Sequence, residues 1–257
     1  MKCGVLFPSL LPLLLFGSCS RGPEEAGAKP RPTLRIAVAS NFAATLSEIA
    51  EGFEEQTGAS VVLSSGSSGK HYAQIRNGAP FTLFFAADTA LPQQLDSEGA
   101  IIQGSRATYA IGSLALWSRD PSTVDAGGKI LGEGGFRHLS IANPALAPYG
   151  KAAQETLQSL GLWDQLKSRL VHGENIGQAY QFVHSGNAEL GFAAWSQLVQ
   201  HDNLAEISWW RVPESLHAPV VQQLVLLEEH PLALAFLTYL QGEEARTIIQ
   251  DSGYRLP

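Results

Sequence analysis

The sequence predicts an α/β fold of two doubly wound lobes joined by a hinge. Three observations lead there. Short apolar runs alternate with amphipathic helical stretches along most of the 257-residue chain. The runs are apolar throughout rather than at every second position, which suits strands covered on both faces in a parallel sheet. The β–α pattern also occurs twice, in two halves with a long middle between them, and the length accommodates two lobes of about 100–150 residues each.

The elements follow in order. LRIAVA (34–39) reads as a strand; Phe42, Leu46, Ile49 and Phe53 then recur at helical spacing until Gly58. SVVLS (60–64) is a second strand, a short helix around Tyr72 and Ile75 ends at Asn77-Gly78, and FTLFFAA (81–87) is a third strand. LALWS (114–118) and LSIAN (139–143) read as strands. Ala153, Leu157 and Leu160 mark a helix ending at Gly161, and Ala179, Phe182 and Val183 another ending near Gly186. LGFAAW (190–195) and VVQQLVLL (220–227) are strands. Pro231 opens a helix with Leu232, Ala235, Phe236, Tyr239 and Leu240 on one face, and a last helix carries Ala245, Ile248 and Ile249. The chain is expected to cross between lobes near 106–113 and 212–220. That gives a first lobe of 33–110 with 217–257, and a second lobe of 111–216.

The N-terminus reads as an address. Lys2, the apolar run Val5–Phe16 and the small residues Gly17-Ser18 have the layout of a secretory signal peptide over 1–18. The run is too short to span a bilayer. Cys19 directly after the small pair resembles a bacterial lipoprotein box, which implies a lipid on Cys19. Residues 19–32, rich in Pro and Gly, then form a tether. The body is thereby placed in the periplasm or on the extracytoplasmic face.

Composition excludes several function classes. With 17 Lys+Arg against 24 Asp+Glu, the net charge is −7 and there is no basic block, so nucleic acid is a poor partner. Cys3 and Cys19 are the only cysteines, which rules out a cysteine-held metal in the body. A phosphate-binding P-loop fails twice, because Lys70 is followed by His71 and Ser64 stands at the earlier glycine position. No G-x-S-x-G elbow occurs, and the seven histidines show no metal-binding spacing. The chain is therefore expected not to be an enzyme and to need no cofactor or directly bound metal. Trp209-Trp210 is read as packing near a crossing strand.

The informative residues lie at four strand-to-helix turns: Ser40-Asn41, Ser64–Gly69 (SSGSSG), Pro148-Tyr149-Gly150 and Glu174-Asn175-Ile176-Gly177. A helix N-terminus exposes unpaired N–H groups and the positive end of the dipole, and so suits an anion. In open α/β sheets such turns collect at the carboxyl edge of the strands. Two turns come from each half, so facing halves bring four N-termini onto one small anion. The donors are Ser hydroxyls, an Asn amide and backbone N–H groups. One capping Ser or Asn alone means little; the four together carry the reading. Lys70 and Lys151 beside two of the turns read as solvated helix lysines.

These segments resemble the molybdate-binding protein family of bacterial ABC importers, which are class II periplasmic solute-binding proteins. The resemblance spans nearly all of 33–257. It rests on IAVASNF (36–42), SSGSSGKHYAQIRNGAPFTLFFAAD (64–88), IANPALAPYGKAAQETLQSLG (141–161), GENIGQAYQFVHSGNAELGF (173–192) and the closing YRLP. It implies a tetrahedral dianion, molybdate or tungstate, as ligand, and an ABC permease as partner of a monomeric binding protein. Sulfate or phosphate is the alternative. Carried over by position, the ligand-holding residues are Ser40, Asn41, Ser68, and Tyr149 and Ile176 through their backbone N–H. Two departures stand out. Ala194 occupies the place of a tyrosine used by some members, with Asn41 expected to supply the missing donor. Phe81-Thr82 replaces the usual Ala-Asp.

Overall fold

The computed structural model describes Met1, Gly4, residues 31–201 and residues 203–257. The expected leader, Cys19 and almost all of the tether lie outside the described residues. Arg31–Pro257 pack as one unit.

Within it the chain runs β1 (Thr33–Ala39), α1 (Ala43–Thr57), β2 (Ser60–Gly66), α2 (Ser68–Arg76), β3 (Leu83–Ala86), α3 (Ala90–Ser97) and β4 (Ala107–Gly112). It continues through β5 (Leu114–Ser118), α4 (Ile130–Glu133), β6 (Leu139–Ala142), α5 (Pro148–Ser159), α6 (Trp163–Leu166), β7 (Leu170–Gly173), α7 (Ile176–His184), β8 (Leu190–Ala194), α8 (Trp195–Val199) and β9 (Ser208–Arg211). It closes with β10 (Val220–Leu226), α9 (Pro231–Leu240) and α10 (Glu243–Asp251).

Two five-stranded sheets result, ordered β2-β1-β3-β10-β4 and β7-β6-β8-β5-β9. Each has its own core. Leu34, Ile36, Phe42, Leu46, Phe53, Phe85 and Phe236 pack about the first sheet, and Leu116, Leu139, Ile141, Leu157, Leu190 and Phe192 about the second. The chain passes from the first sheet to the second at Ser113, because residues 107–112 form a strand of the first sheet, and it returns between β9 and β10.

The sheets are mixed rather than wholly parallel. Strands linked by helical crossovers inside one sheet, β1 with β2 and β3, and β6 with β7 and β8, are parallel. β5 and β10 arrive from the other sheet without such a crossover and pair antiparallel with their neighbours. An apolar run reports burial on both faces but not strand direction.

The smaller elements escape the periodicity argument for physical reasons. The helices α4, α6 and α8 span one turn each, too short for a repeat. In α3 only Pro92 and Leu95 are buried, so no stripe forms. β7 is a half-buried edge strand, and its LVHG sequence carries no apolar run.

Candidate functional site

The carboxyl ends of β1, β2 and β3 and the starts of α5 and α7 meet at one small cavity, lined by Ser40, Asn41, Ser67, Ser68, Ala87, Pro148, Tyr149, Asn175 and Ile176 among others. All five of the oxyanion-holding residues named from the sequence line it.

At each turn several backbone N–H groups are bonded within the protein, and those that are not are left beside this space. After β1, Ser40 N–H donates to the Gly66 carbonyl (2.8 Å) and Phe42 N–H to Ala39 (2.9 Å), which leaves Asn41 N–H. At α2, Gly69 N–H donates across to Leu146 O (2.9 Å) and Lys70 N–H to the capping Ser67 Oγ (3.4 Å), which leaves Ser68 N–H. At α5, Pro148 has no N–H to offer, while Gly150 and Lys151 both donate to the Ala147 carbonyl, which leaves Tyr149 N–H. At α7, Gln178 N–H donates to the capping Asn175 Oδ1 (2.9 Å) and Gly177 N–H to Ser40 Oγ (3.2 Å), which leaves Ile176 N–H. Among the described residues these four N–H groups have no protein partner, and neither do those of Ser67 and Asn175 beside them. Gly150 lets α5 start this close to its strand: a Cβ there would lie 2.3 Å from the Ala142 carbonyl oxygen.

Two hydroxyls are aimed in the same way. Ser68 Oγ accepts from Ala87 N–H at 2.9 Å, and Ser40 Oγ accepts from Gly177 N–H. A hydroxyl whose lone pair is taken by an N–H keeps its proton for an acceptor. Both serines are therefore set as donors. The Ser40–Gly177 and Gly69–Leu146 bonds also join the two sheets at the cavity.

Asn41 departs from its expected part. Its Nδ2 donates to Gln222 Oε1 (2.7 Å) and to the Tyr254 hydroxyl (3.1 Å). Both amide hydrogens are thus spent inside the protein, and Asn41 turns only its backbone N–H to the cavity. Its side chain belongs to a buried polar layer beneath the site. There the Tyr254 hydroxyl donates to Asn41 O (2.6 Å), Ser196 Oγ donates to the Tyr254 hydroxyl (2.9 Å), Tyr109 donates to Gln222 Oε1 (3.0 Å) and Gln222 Nε2 donates to the Tyr149 hydroxyl (3.4 Å). Burial pushes the hydroxyls of Tyr109, Tyr149 and Tyr254 above the ordinary tyrosine range, so all three stay neutral. Gly112 leaves room for this layer; a Cβ on it would lie 2.0 Å from the Tyr149 hydroxyl oxygen.

Among the described residues no cationic side chain lines the cavity. Lys70 forms an exposed ion pair with Glu174 (2.8 Å), from α2 to the turn before α7, and Lys151 pairs loosely with Glu155 (3.9 Å).

Residues 34–255 match the family described as bacterial extracellular solute-binding protein. The chain belongs to this family. A curated relative, "Molybdate-binding protein ModA" of Azotobacter vinelandii, is 48% identical over 226 residues, which cover 87% of this chain and 90% of the relative. A protein of the same name from Rhodobacter capsulatus is 43% identical over 221 residues, 85% of this chain and 86% of the relative. The solved structure titled as the Azotobacter vinelandii periplasmic molybdate-binding protein superposes with a TM-score of 0.83 at 45% identity, over 87% of this chain and 99% of that one.

For a member of this solute-binding family, the part missed from sequence is the layer of Tyr109, Ser196, Gln222 and Tyr254. One signal was available. Along β10, Val220, Gln222 and Leu224 are buried on one face, and a glutamine between two apolar residues on a core face announces a buried polar contact.

Proposed function

We propose that this chain is an extracytoplasmic solute-binding protein that captures molybdate, and tungstate with it, and delivers it to an ABC-type membrane permease. The observation that carries the reading is the set of four unpartnered N–H groups and two oriented hydroxyls, drawn from both sheets around one cavity without a lysine or arginine. Removing a dianion from water costs several kcal/mol per charge. Six hydrogen bonds to a charged acceptor contribute about 1.5–3 kcal/mol each, or about 9–18 kcal/mol together, enough to offset that cost. Fixed donors also measure size. Sulfate is smaller than molybdate and reaches the donors of both sheets less well, whereas molybdate and tungstate are nearly alike. The relatives named for molybdate binding support the same ligand.

In this reading the protein is a binder and not an enzyme, and it works as a monomer held to the membrane by a lipid on Cys19. Its lobes follow the two sheets, with the first lobe of 33–110 and 217–257 extended through Gly112 and the second running from Ser113 to 216, and they close by hinge motion. Among the described residues no helix is long and apolar enough to cross a membrane. Titration calorimetry on the folded body tests the ligand. Tight binding of molybdate and tungstate with weak binding of sulfate and phosphate is expected; equal affinity for sulfate refutes the size argument.

A further inference from the structure

Gln222 is fully buried at the centre of β10, on the face it shares with Val220 and Leu224. The ladder to β4 is irregular beside it: Gln222 pairs with Ala110 and Gln223 with Thr108, so Tyr109 is left over as a bulge. A bulge re-aims the extra side chain, and here the Tyr109 hydroxyl reaches Gln222 Oε1 at 3.0 Å. The same oxygen accepts from Asn41 Nδ2 at 2.7 Å. The other end of the amide, Nε2, faces the Tyr149 hydroxyl at 3.4 Å. Asn41 follows β1 of the first sheet, and Tyr149 opens α5 against the second. One side chain thus touches a cavity-lining residue from each sheet, while its own atoms stay out of the cavity lining.

We propose that Gln222 is a positioning residue for oxyanion binding, which ties the Asn41 turn to the Tyr149 helix and so sets the spacing between their free N–H groups. The inference rests on the oxyanion reading above and adds to it the element that makes the site selective by size. A gap fixed by one rigid amide suits an anion of one diameter. When the tie is cut, the two N–H groups adjust independently, and a smaller anion is accommodated with less penalty.

The test is the ratio of sulfate to molybdate dissociation constants, measured by calorimetry on wild-type protein and on Gln222→Leu and Tyr149→Phe. Gln222→Leu removes both ends of the tie; Tyr149→Phe removes only the hydroxyl and keeps the backbone N–H. Molybdate affinity is expected to fall by about three- to tenfold in Gln222→Leu, with sulfate affected less, so that the ratio narrows. Tyr149→Phe narrows it in the same direction, and it alone carries the test if Gln222→Leu does not fold. An unchanged ratio overturns the proposal even where both affinities drop, because a loss common to both anions reports only general damage. A wild-type protein that binds neither anion defeats the underlying reading instead, and the two failures are told apart by the first titration.

Discussion

Truncating Ser68 tests the site most directly, since this residue offers two donors and is almost wholly buried. Ser68→Ala keeps the backbone N–H and deletes the hydroxyl. One hydrogen bond to a charged acceptor is lost, about 1.5–3 kcal/mol, so the dissociation constant for molybdate should rise by roughly ten- to 150-fold. A second effect comes from the other side of the hydroxyl. Ala87 N–H, which donates to Ser68 Oγ at 2.9 Å, is left without its partner in free and bound protein alike. That orphaned group costs about 1–3 kcal/mol of fold stability without entering the affinity, and for a body of this size lowers the melting temperature by a few degrees. Calorimetric titration separates the two effects, since it reads affinity, while a thermal melt without ligand reads stability. Affinity within twofold of wild type would refute Ser68 as a ligand donor, and a melt lowered with affinity unchanged would leave it only a structural partner of Ala87.

Two further outcomes follow from the geometry. The Lys70–Glu174 pair is about half exposed on both sides, so Lys70→Ala or Glu174→Ala should change molybdate affinity by less than about fivefold, and the difference should fade when titrations are repeated in 0.5 M salt, on the order of a 4–5 Å screening length; a large, salt-independent loss would make the pair a direct part of the site. The buried tyrosines give a pH dependence whose sign is fixed. Their folded-state pKa values lie above the ordinary value of 10.0, so above that pH the unfolded chain loses protons that the folded chain retains, and stability falls as pH rises. Urea melts should be unaffected by these tyrosines at pH 8–9 and lose stability steadily from about pH 10 upward; Tyr254→Phe should flatten that loss, and an equal slope in the variant would refute the assignment.

Much of this architecture can be read from residues because its signals are local. The stripe of Leu46, Ile49 and Phe53, the apolar run of Leu83–Ala86, and the Ser and Asn turns each declare themselves within a few positions. What a turn does with its side chain is not local. The Asn41 amide is directed by Gln222 and Tyr254, 181 and 213 positions away, and nothing in SNF distinguishes a side chain turned toward an anion from one turned into a polar layer. Strand direction escapes for the same reason: the apolar runs of β5 and β10 look like those of β6 and β1, and only the route by which the chain arrives makes them antiparallel. Short elements such as β7 are stabilised by their neighbours rather than by their own pattern.

The division of the free N–H groups has a consequence for how the cargo leaves. Asn41 and Ser68 belong to the first sheet's side, Tyr149 and Ile176 to the second's. Neither half alone can surround an ion. In the proposed reading, unloading then requires no proton, no competing solute and no chemical change at the site. Prising the halves apart strips the ion of every partner on one side at a stroke, and water takes their place.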